Sequence, residues 1–360
     1  MPLYINGRFL TQPVSGVQRY AREVLGALDD MLVRDPLHGP VEVLVPHPVP
    51  HPDWRVLQVR VVRGGRGHVW EQGALYRASC DGVLLSLGNS GPLRHRAQVL
   101  CLHDANLFDI PQAFSARYRA WHRVLRPVLA RRAAALLTVS THSAKALAHH
   151  LGVARERFDI VPNSAEHVLE WPTRPKVPAR YGLRPGGYFL SVGNQSPNKN
   201  IARLVAAHAQ ARGVPPLALV GGGVPGVTYQ AAGQGAHMLG RVPDADLRGR
   251  YEGAAGVGFP SLYEGFGIPP LEAMQLGVPV LCARSGAMPD VLGQGAMWVV
   301  PRDTADMTRT LESFSAMDSP HRMTRIEIGR AVAAKYRWSD SAARVLAAIE
   351  RVSAGARLAA

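Results

Sequence analysis

Short apolar runs alternate with segments of helical periodicity along almost the whole 360-residue chain. In the first half these runs, which predict strands, lie at 2–6, 41–45, 56–62, 83–87, 97–102, 135–139 and 158–161. In the second half they lie at 188–192, 217–220, 255–259 and 278–283. Repeated strand–helix units are typical of parallel sheets covered by helices, and the chain is long enough for two such domains. We therefore predict an α/β fold of two Rossmann-like, doubly wound domains that face a cleft.

The periodic pattern of apolar residues is interrupted near the middle of the chain. The stretch WPTRPKVPARYGLRP carries four prolines and no periodicity, which is typical of an interdomain linker. We predict one domain over 1–165, a linker over 166–185 and a second domain over 186–336. A helical segment over 337–360 is expected to follow, with packing back on the first domain as one option. Ligands of open parallel sheets bind beyond the carboxyl ends of the strands.

Composition excludes several classes of protein. The three cysteines, Cys80, Cys101 and Cys282, have no metal-ligand spacing, so we expect neither a disulfide framework nor a zinc site. The net charge of +14 is spread over both halves, without basic blocks interleaved with aromatics, which disfavours a nucleic-acid partner. Phosphate-bearing substrates and an anionic membrane surface remain. No apolar run reaches about 18 residues and the start is strand-like, so we expect no membrane span or signal peptide and a cytoplasmic location.

One helical segment, 113–132, combines aromatic residues with many arginines. Its Tyr118, Trp121, Leu125 and Leu129 recur at helical spacing. The pattern fits an interfacial helix lying on the inner face of the cytoplasmic membrane. It fits equally well a helix packed on the core with a basic outer face.

The segment FPSLYEGFGIPPLEAMQLGVPV, 259–280, carries two carboxylates at a notable spacing. Glu264 lies in a glycine-rich loop after a strand, and Glu272 follows eight residues later near the start of a helix. Free amides at a helix start favour a phosphate, and Gly265 and Gly267 let the backbone approach a ligand closely. A carboxylate here can accept hydrogen bonds from sugar or ribose hydroxyls.

This segment resembles the Glu-x7-Glu motif of the family-four retaining glycosyltransferases, including the surrounding PSLYEGFG and PLEAM. The resemblance implies a GT-B fold, with an acceptor-side first domain and a second domain that binds a nucleotide-sugar. It implies that Glu264 contacts the donor sugar and Glu272 the ribose. The amides around Gly265, Phe266, Gly267, Ile268 and Leu271 would then line the donor site.

A second segment, SVGNQSPNKNIARLVAAHAQ (191–210), resembles the strand, loop and helix that hold the donor diphosphate in this family. The resemblance assigns that role to Lys199, with Gly193 and Asn194 in the same loop. A compact cation before a helix complements a charged leaving group. Many relatives carry a second basic residue nearby, and Asn194 stands at one such place. Lys199 acts alone on this prediction, or with the help of Arg241.

Three further places resemble the family. Gly221–Gly223 follow the strand 217–220, and Gly222 would line the nucleotide pocket. Gly16, just before the first helix, would let donor phosphate or acceptor approach that helix. His103 ends a strand in VLCLHDANLFDIP, and the resemblance places it near the transferred sugar, with Asp104 orienting the loop.

The resemblance implies a retaining hexosyltransferase with His103, Glu264 and Lys199 at its reaction centre. No carboxylate pair suited to a double displacement is evident, so we expect attack on the same face as the leaving diphosphate. No Asp-x-Asp metal motif is prominent, and we expect a metal-independent enzyme without a cofactor.

The donor and the acceptor are predicted from family texture. Similarity to bacterial mannosyltransferases of surface-polysaccharide and lipopolysaccharide synthesis favours GDP-mannose and a glycan or lipid-linked acceptor. UDP-sugars and a dTDP- or GDP-deoxysugar stay open as donors. A GT-B-shaped epimerase or phosphorylase, or a non-catalytic sugar-nucleotide-binding subunit, is the alternative to a transferase.

Overall fold

The structure, a computed structural model, describes residues 1–37, 39–174, 182–222 and 236–358, apart from the side chain of Arg357. The chain divides into two compact units. Unit 1 comprises Met1–Asn163 with Trp338–Ala360, and unit 2 comprises Ser164–Arg337. Of the predicted linker 166–185, residues Glu166–Leu169 form a short 3-10 helix that belongs to unit 2, and 175–181 lie outside the described residues.

The described part of unit 1 is built on a parallel sheet of seven strands in the order β3-β2-β1-β4-β5-β6-β7. The strands are β1 (Leu3–Asn6), β2 (Val41–Val45), β3 (Gln58–Val61), β4 (Val83–Ser86), β5 (Gln98–Cys101), β6 (Ala135–Thr138) and β7 (Phe158–Ile160). All seven lie within the runs that predicted them. The inner strands are buried, as expected for parallel strands covered on both faces, whereas the edge strand β3 is exposed at three of its four residues.

Helices cover this sheet. They are α1 (Gly16–Arg34), α2 (Gly67–Trp70), α3 (Tyr76–Ser79), α4 (Asn106–Asp109), α5 (Ala116–Arg132) and α6 (Thr141–Leu151), with 3-10 turns at Gly7–Thr11, Pro111–Ala113 and Arg155–Arg157. A π-helical turn, Glu71–Leu75, joins α2 to α3. The last helix, α13 (Trp338–Leu358), packs against α1 within unit 1.

Unit 2 repeats the architecture with a parallel sheet in the order β10-β9-β8-β11-β12-β13. Its strands are β8 (Phe189–Val192), β9 (Leu217–Val220), β10 (Ala236–Gly240), β11 (Gly256–Phe259), β12 (Val280–Ala283) and β13 (Ala296–Val299). Its helices are α7 (Ile201–Gln210), α8 (Asp244–Glu252), α9 (Ile268–Gln275), α10 (Met288–Leu292), α11 (Thr304–Ser315) and α12 (Ser319–Ala333), with 3-10 turns at Pro197–Lys199 and Gly293–Gly295.

Each unit has its own apolar core. In unit 1, Leu100 and Leu136 of the sheet pack with Leu129 of α5 and Leu147 of α6. In unit 2, the core includes Phe189, Leu281 and Phe314. Burying one such side chain contributes about 1.5–3 kcal/mol. Because all strands in a sheet are parallel, the loops after them gather at one edge, where polar side chains can meet. Within the described ranges, no helix is both long and apolar enough to cross a bilayer.

Candidate functional site

In unit 2, two loops at the carboxyl edge of the sheet bring Lys199 and Glu264 together. Lys199 follows β8 and Glu264 follows β11. The Lys199 ammonium donates to Glu264, with 2.5 Å between Nζ and Oε1. Both side chains are partly exposed, so the pair is open to a ligand. The two residues are 65 apart in sequence, and the sheet topology alone makes them neighbours.

The loop that carries Lys199 is fixed by Asn200. This residue has a φ of 55°, in the left-handed region that asparagine tolerates better than most residues. Its side-chain amide donates to the backbone carbonyls of Pro260 at 3.0 Å and Pro301 at 2.7 Å. The Lys199 ammonium also lies 5.5 Å from the centre of the Phe259 ring. The cation is therefore held by the loop geometry as well as by its carboxylate partner.

The backbone of Glu264 is held by close contacts with the segment that contains Gly286 and Ala287. Its carbonyl accepts a hydrogen bond from the Ala287 amide at 3.0 Å. Gly286, with a φ of 54°, approaches so closely that an added Cβ would lie 2.5 Å from the Glu264 carbonyl oxygen. Burial, aided by the Glu264 charge, raises the pKa of the nearby Cys282 thiol. That thiol therefore stays protonated and unreactive.

The start of α9 presents a restricted set of backbone donors. Gly267 precedes the helix with a φ of 105°, and Ile268 is its first residue. Pro269 and Pro270 follow and have no N–H, so the donors without an intrahelical partner come from Gly267 and Ile268. Leu271 is fully buried at the fourth position, where an α-helix closes its first hydrogen bond.

Phe266 packs rather than faces solvent. It is buried, and its ring meets the Tyr336 ring edge-on with centroids 5.2 Å apart. In the loop 264–267 the Glu264 side chain is partly exposed, while Gly265, Phe266 and Gly267 are buried.

Glu272 has protein partners on both carboxylate oxygens, which the sequence did not predict. His167 Nε2 lies 2.9 Å from Oε1, and the Tyr251 hydroxyl donates to Oε2 at 2.7 Å. The carboxylate is buried. Burial, reinforced by the Glu272 charge, raises the pKa of Tyr251 well above its usual value, so the phenol remains a donor. His167 lay in the predicted linker, and nothing in its local sequence marks its role.

The loops after β8 and β9 touch through glycines. Gly221 has a φ of 150°, and a Cβ there would lie 1.8 Å from the Gly193 carbonyl oxygen. A Cβ on Gly193 would lie 3.7 Å from the Lys199 side chain. Gly193 therefore connects the Lys199 loop to the glycine loop that also contains Gly222.

Two further predicted residues of this unit, Asn194 and Arg241, are exposed. Asn194 accepts a hydrogen bond from the Ser196 hydroxyl at 2.6 Å. Arg241 follows β10, and a Cβ on Gly222 would lie 4.0 Å from its Nε. Over the described ranges, no carboxylate pairs with Arg241. Gly223 lies outside the described residues.

Three predicted residues, Gly16, His103 and Asp104, lie in unit 1, and Asp104 Oδ1 accepts a hydrogen bond from the Asn106 amide at 3.0 Å. His103 follows β5 and is buried; its backbone amide donates to Asn89 Oδ1 at 2.8 Å. Its Nε2 lies 2.8 Å from the Leu87 carbonyl oxygen, which requires a proton on Nε2 and leaves Nδ1 as an acceptor in the neutral ring. Burial lowers the pKa of His103, so the ring is neutral near pH 7. Gly16 is the first residue of α1, and the Ser15 amide before it donates to Gln18 Oε1 at 3.2 Å.

Comparison with known proteins adds three findings. Residues 184–332 match the family model described as Glycosyl transferases group 1. The chain is 31% identical over 271 residues to O-antigen chain mannosyltransferase B of Escherichia coli, covering 69% of each chain. It is 29% identical over 248 residues to MMP alpha-(1->4)-mannosyltransferase of Mycolicibacterium hassiacum, covering 63% of this chain and 56% of that one.

Solved structures show the same fold over nearly the whole chain. Sucrose-phosphate synthase from Thermosynechococcus elongatus aligns with a TM-score of 0.76 at 16% identity, covering 99% of this chain and 100% of that chain. WaaG, a glycosyltransferase involved in lipopolysaccharide biosynthesis, aligns with a TM-score of 0.69 at 16% identity, covering 96% and 98%. The predicted GT-B fold of two Rossmann-like domains is confirmed.

Proposed function

Since the chain belongs to the Glycosyl transferases group 1 family and is a glycosyltransferase, we propose that it transfers mannose from GDP-mannose to a glycan or lipid-linked acceptor of surface-polysaccharide synthesis. Relatives named as O-antigen mannosyltransferases support the sugar and the pathway class. The observation that carries the proposal is the contact of Lys199 with Glu264 at the carboxyl edge of unit 2.

Lys199 is proposed to hold the donor diphosphate. Its ammonium has three N–H donors, and Glu264 takes one at 2.5 Å. The others, with the Gly267 and Ile268 amides, can stabilise the charge that grows on the leaving phosphate oxygen. Donors of this kind typically contribute about 10²–10³-fold to kcat. Asn194, Gly193, Gly222 and Arg241 complete the proposed donor site.

Glu264 is proposed to accept hydrogen bonds from hydroxyls of the transferred sugar. Its partly exposed side chain and fixed backbone suit that role. Glu272 is proposed to bind the ribose. A carboxylate has about four lone-pair sites, so Glu272 can keep His167 and Tyr251 as partners and still accept a ribose hydroxyl.

The proposed reaction retains the anomeric configuration. The acceptor oxygen attacks the face from which the diphosphate leaves, and the leaving phosphate takes the acceptor proton. His103 in unit 1, neutral and with Nδ1 as an acceptor, is proposed to receive a hydrogen bond from a hydroxyl near the reaction centre. Lys199 and the amides supply the positive charge, so the mechanism requires neither a metal nor a cofactor.

The donor is tested by thermal unfolding with a panel of nucleoside diphosphates and nucleotide-sugars. A ligand at 100 times its Kd should add about 2.7 kcal/mol to the free energy of unfolding. GDP and GDP-mannose should stabilise the protein, Lys199→Ala and Glu272→Ala should remove the effect, and the matched exposed-lysine control Lys335→Ala should keep it. Stabilisation by only UDP- or dTDP-sugars would refute the GDP-mannose assignment. If no nucleotide or nucleotide-sugar of the panel stabilises the protein, the donor site is refuted.

A second assay separates transfer from the alternatives. Purified enzyme with GDP-mannose and a membrane extract that supplies acceptor should release GDP and form a mannosylated lipid or glycan. Conversion of GDP-mannose to another nucleotide-sugar without acceptor would instead support the epimerase. Full surface-glycan synthesis in cells carrying Glu264→Ala would support a non-catalytic subunit.

We also propose that α5 touches the inner face of the cytoplasmic membrane. Its inner side packs Leu125 and Leu129 into the core, while Tyr118, Trp121 and Val124 are exposed among arginines on its outer side. Aromatic and basic residues on one helix face favour an anionic lipid surface.

Sedimentation with phosphatidylglycerol vesicles tests the membrane contact. Trp121→Ser should lower the bound fraction several-fold. Met323→Ser, which removes an equally exposed apolar side chain from unit 2, should not. Equal binding of wild type and Trp121→Ser would refute the contact.

A further inference from the structure

A second cluster of polar side chains lies in unit 1 beside the carboxyl ends of β1 and β4. It is formed by the inner face of α5 and by the α2 region, and we call it the α5 cluster: Arg8, His68, Glu71, His122 and Arg126. None of these residues belongs to the proposed donor site. Two of them, His122 and Arg126, are one helical turn apart on α5 and buried.

His122 has polar atoms without partners. It is only 2% exposed, yet neither ring nitrogen forms a hydrogen bond with any described residue. The ring lies against Tyr118, with centroids 4.1 Å apart, and against His68 at 5.2 Å. Buried polar groups are nearly always bonded in native proteins, so an orphan of this kind points to a missing partner.

Arg126 is buried without a counter-ion. It is 3% exposed, its Nη1 donates to the Asp104 carbonyl at 3.3 Å, and its Nε has no partner. Across the described ranges, no carboxylate forms an ion pair with this guanidinium. A buried cation is strongly disfavoured unless an anion neutralises it.

Glu71 does not supply that anion. Its Oε1 lies 3.1 Å from Arg8 Nε and 2.9 Å from Asn6 Nδ2, and its Oε2 lies 2.8 Å from His68 Nδ1. Burial works against its charge, but the His68 bond and the Arg8 charge outweigh it and keep the pKa of Glu71 below its usual value. The carboxylate is thus ionised and engaged by Arg8, Asn6 and His68.

The cluster reaches the surface through two of its members. Arg8 and His68 keep 16% and 27% of their side-chain area exposed. A π-helical turn, Glu71–Leu75, forms part of its wall, and such turns are frequent at functional sites. Arg8 and His68 therefore form the solvent-exposed edge of the cluster that contains Arg126.

We propose that the α5 cluster binds a phosphate group of the acceptor, with Arg126 and His122 as its direct ligands. This inference rests on the proposed glycosyltransferase function for its acceptor. Arg126 offers a planar set of N–H donors that matches phosphate oxygens, and His122 offers a further N–H. The phosphate could belong to a lipid-linked acceptor or to a soluble sugar phosphate, which share this chemistry.

Titration calorimetry with the full chain tests the subsite, using inorganic phosphate, mannose 1-phosphate and farnesyl phosphate as probes. Arg126→Met should weaken binding of all three about tenfold or more. Lys199→Ala should leave that binding in place, because it alters only the donor site. Tighter binding of farnesyl phosphate than of mannose 1-phosphate would identify a lipid-linked source, and the reverse order a soluble one. Unchanged binding to Arg126→Met, or its loss in Lys199→Ala alone, would overturn the inference.

Stability distinguishes a ligand-binding arginine from a structural one. Arg126→Met replaces a buried cation that has no counter-ion among the described residues, and His122→Phe a buried ring without hydrogen bonds to them; such replacements by apolar groups are often neutral or stabilising. Both variants should therefore melt at or above the wild-type temperature while losing phosphate binding. A lower melting temperature in both would show that the residues hold the fold, and would overturn the proposal.

Two further measurements separate this subsite from the other proposals. Arg126→Met should keep the nucleotide-induced stabilisation, and it should keep vesicle binding because Arg126 faces inward. If no nucleotide stabilises the protein but phosphate binding still depends on Arg126, the donor proposal fails and the anion site stands. If Arg126→Met loses vesicle binding but not phosphate binding, the anion site fails and the residue serves the membrane contact.

Discussion

Removing the Tyr251 hydroxyl should destabilise unit 2 and loosen Glu272. The hydroxyl donates to Glu272 Oε2 at 2.7 Å, and both side chains are buried. In Tyr251→Phe the ring keeps its packing, so only the hydrogen bond is lost. Water replaces this bond poorly, because Tyr251 is fully buried and Glu272 is only 5% exposed.

The expected magnitude follows from the charge of the acceptor. A hydrogen bond to a charged group contributes about 1.5–3 kcal/mol, against about 0.5–1.5 kcal/mol for a neutral one. Tyr188 provides a matched control, since its fully buried hydroxyl donates to the neutral Arg250 carbonyl at 2.6 Å. Tyr251→Phe should therefore cost more than Tyr188→Phe. A loss of 1.5–3 kcal/mol corresponds to a fall of roughly 3–12 °C in the melting temperature of a domain of this size.

Urea and thermal unfolding of wild type, Tyr251→Phe and Tyr188→Phe measure these differences. Repeating Tyr251→Phe in a Glu272→Gln background gives the interaction energy, which should be at least about 0.5 kcal/mol for residues in direct contact. Equal costs at Tyr251 and Tyr188, or a coupling of zero, would refute the argument that Tyr251 serves the Glu272 charge.

The same variant tests the role of Glu272 in catalysis. If Glu272 binds the ribose equally in ground and transition states, Tyr251→Phe should raise the donor KM and leave kcat nearly unchanged. A fall in kcat at constant KM would place Glu272 among the groups that act on the reacting bond.

Three further predictions concern other contacts. Lys199→Ala should lower kcat about 10²–10³-fold in the transfer assay, because it removes the main cation at the leaving group; a change below tenfold would contradict that role. Gly286→Ala should lower the free energy of unfolding in urea more than Gly213→Ala does. Both glycines have a positive φ, but a Cβ on Gly286 would lie 2.5 Å from the Glu264 carbonyl oxygen, whereas a Cβ on Gly213 would lie in open space. Equal losses would refute the clash. Burial, with nearby cationic charge, lowers the pKa of His122 to about 4. Below pH 6.5 the unfolded chain binds a proton on this histidine that the folded chain does not bind, so the free energy of unfolding should fall from pH 6.5 toward pH 4. His122→Phe should reduce that fall in the urea midpoint between pH 7 and pH 5, and an unchanged profile would contradict it.

The strands could be predicted where their residues are buried and therefore apolar. Every strand of the unit 1 sheet lies in a predicted run, and the inner strands are buried, as expected for parallel strands covered on both faces, whereas the edge strand β3 is largely exposed. In unit 2, the predicted runs included neither β10 (Ala236–Gly240) nor β13 (Ala296–Val299). Strand β13 is an edge strand whose Met297 and Trp298 are only partly buried, and the glycine-rich GQG before it reads as a turn. An edge strand is less buried, so its sequence shows a weaker apolar pattern.

The candidate site was predictable only in part. Glu264, Glu272 and Lys199 could be named because they lie in long motifs that resemble a known family. His167 could not, because it is 105 residues from Glu272 in sequence and its neighbours carry no comparable motif. Tertiary packing brings such buried partners together. In the sequence alone, His167 is one polar residue among many.

The contact of Lys199 with Glu264 shows how the site can be both ordered and ready for a ligand. A partly exposed ion pair contributes only about 0–1 kcal/mol to stability, so moving the ammonium toward a diphosphate sacrifices little. The Asn200 bonds to Pro260 and Pro301 keep the loop in place during such a shift. Glu272 differs, because its two buried partners make displacement costly. We therefore expect the diphosphate to move the Lys199 side chain, and the ribose to meet a Glu272 that stays where it is.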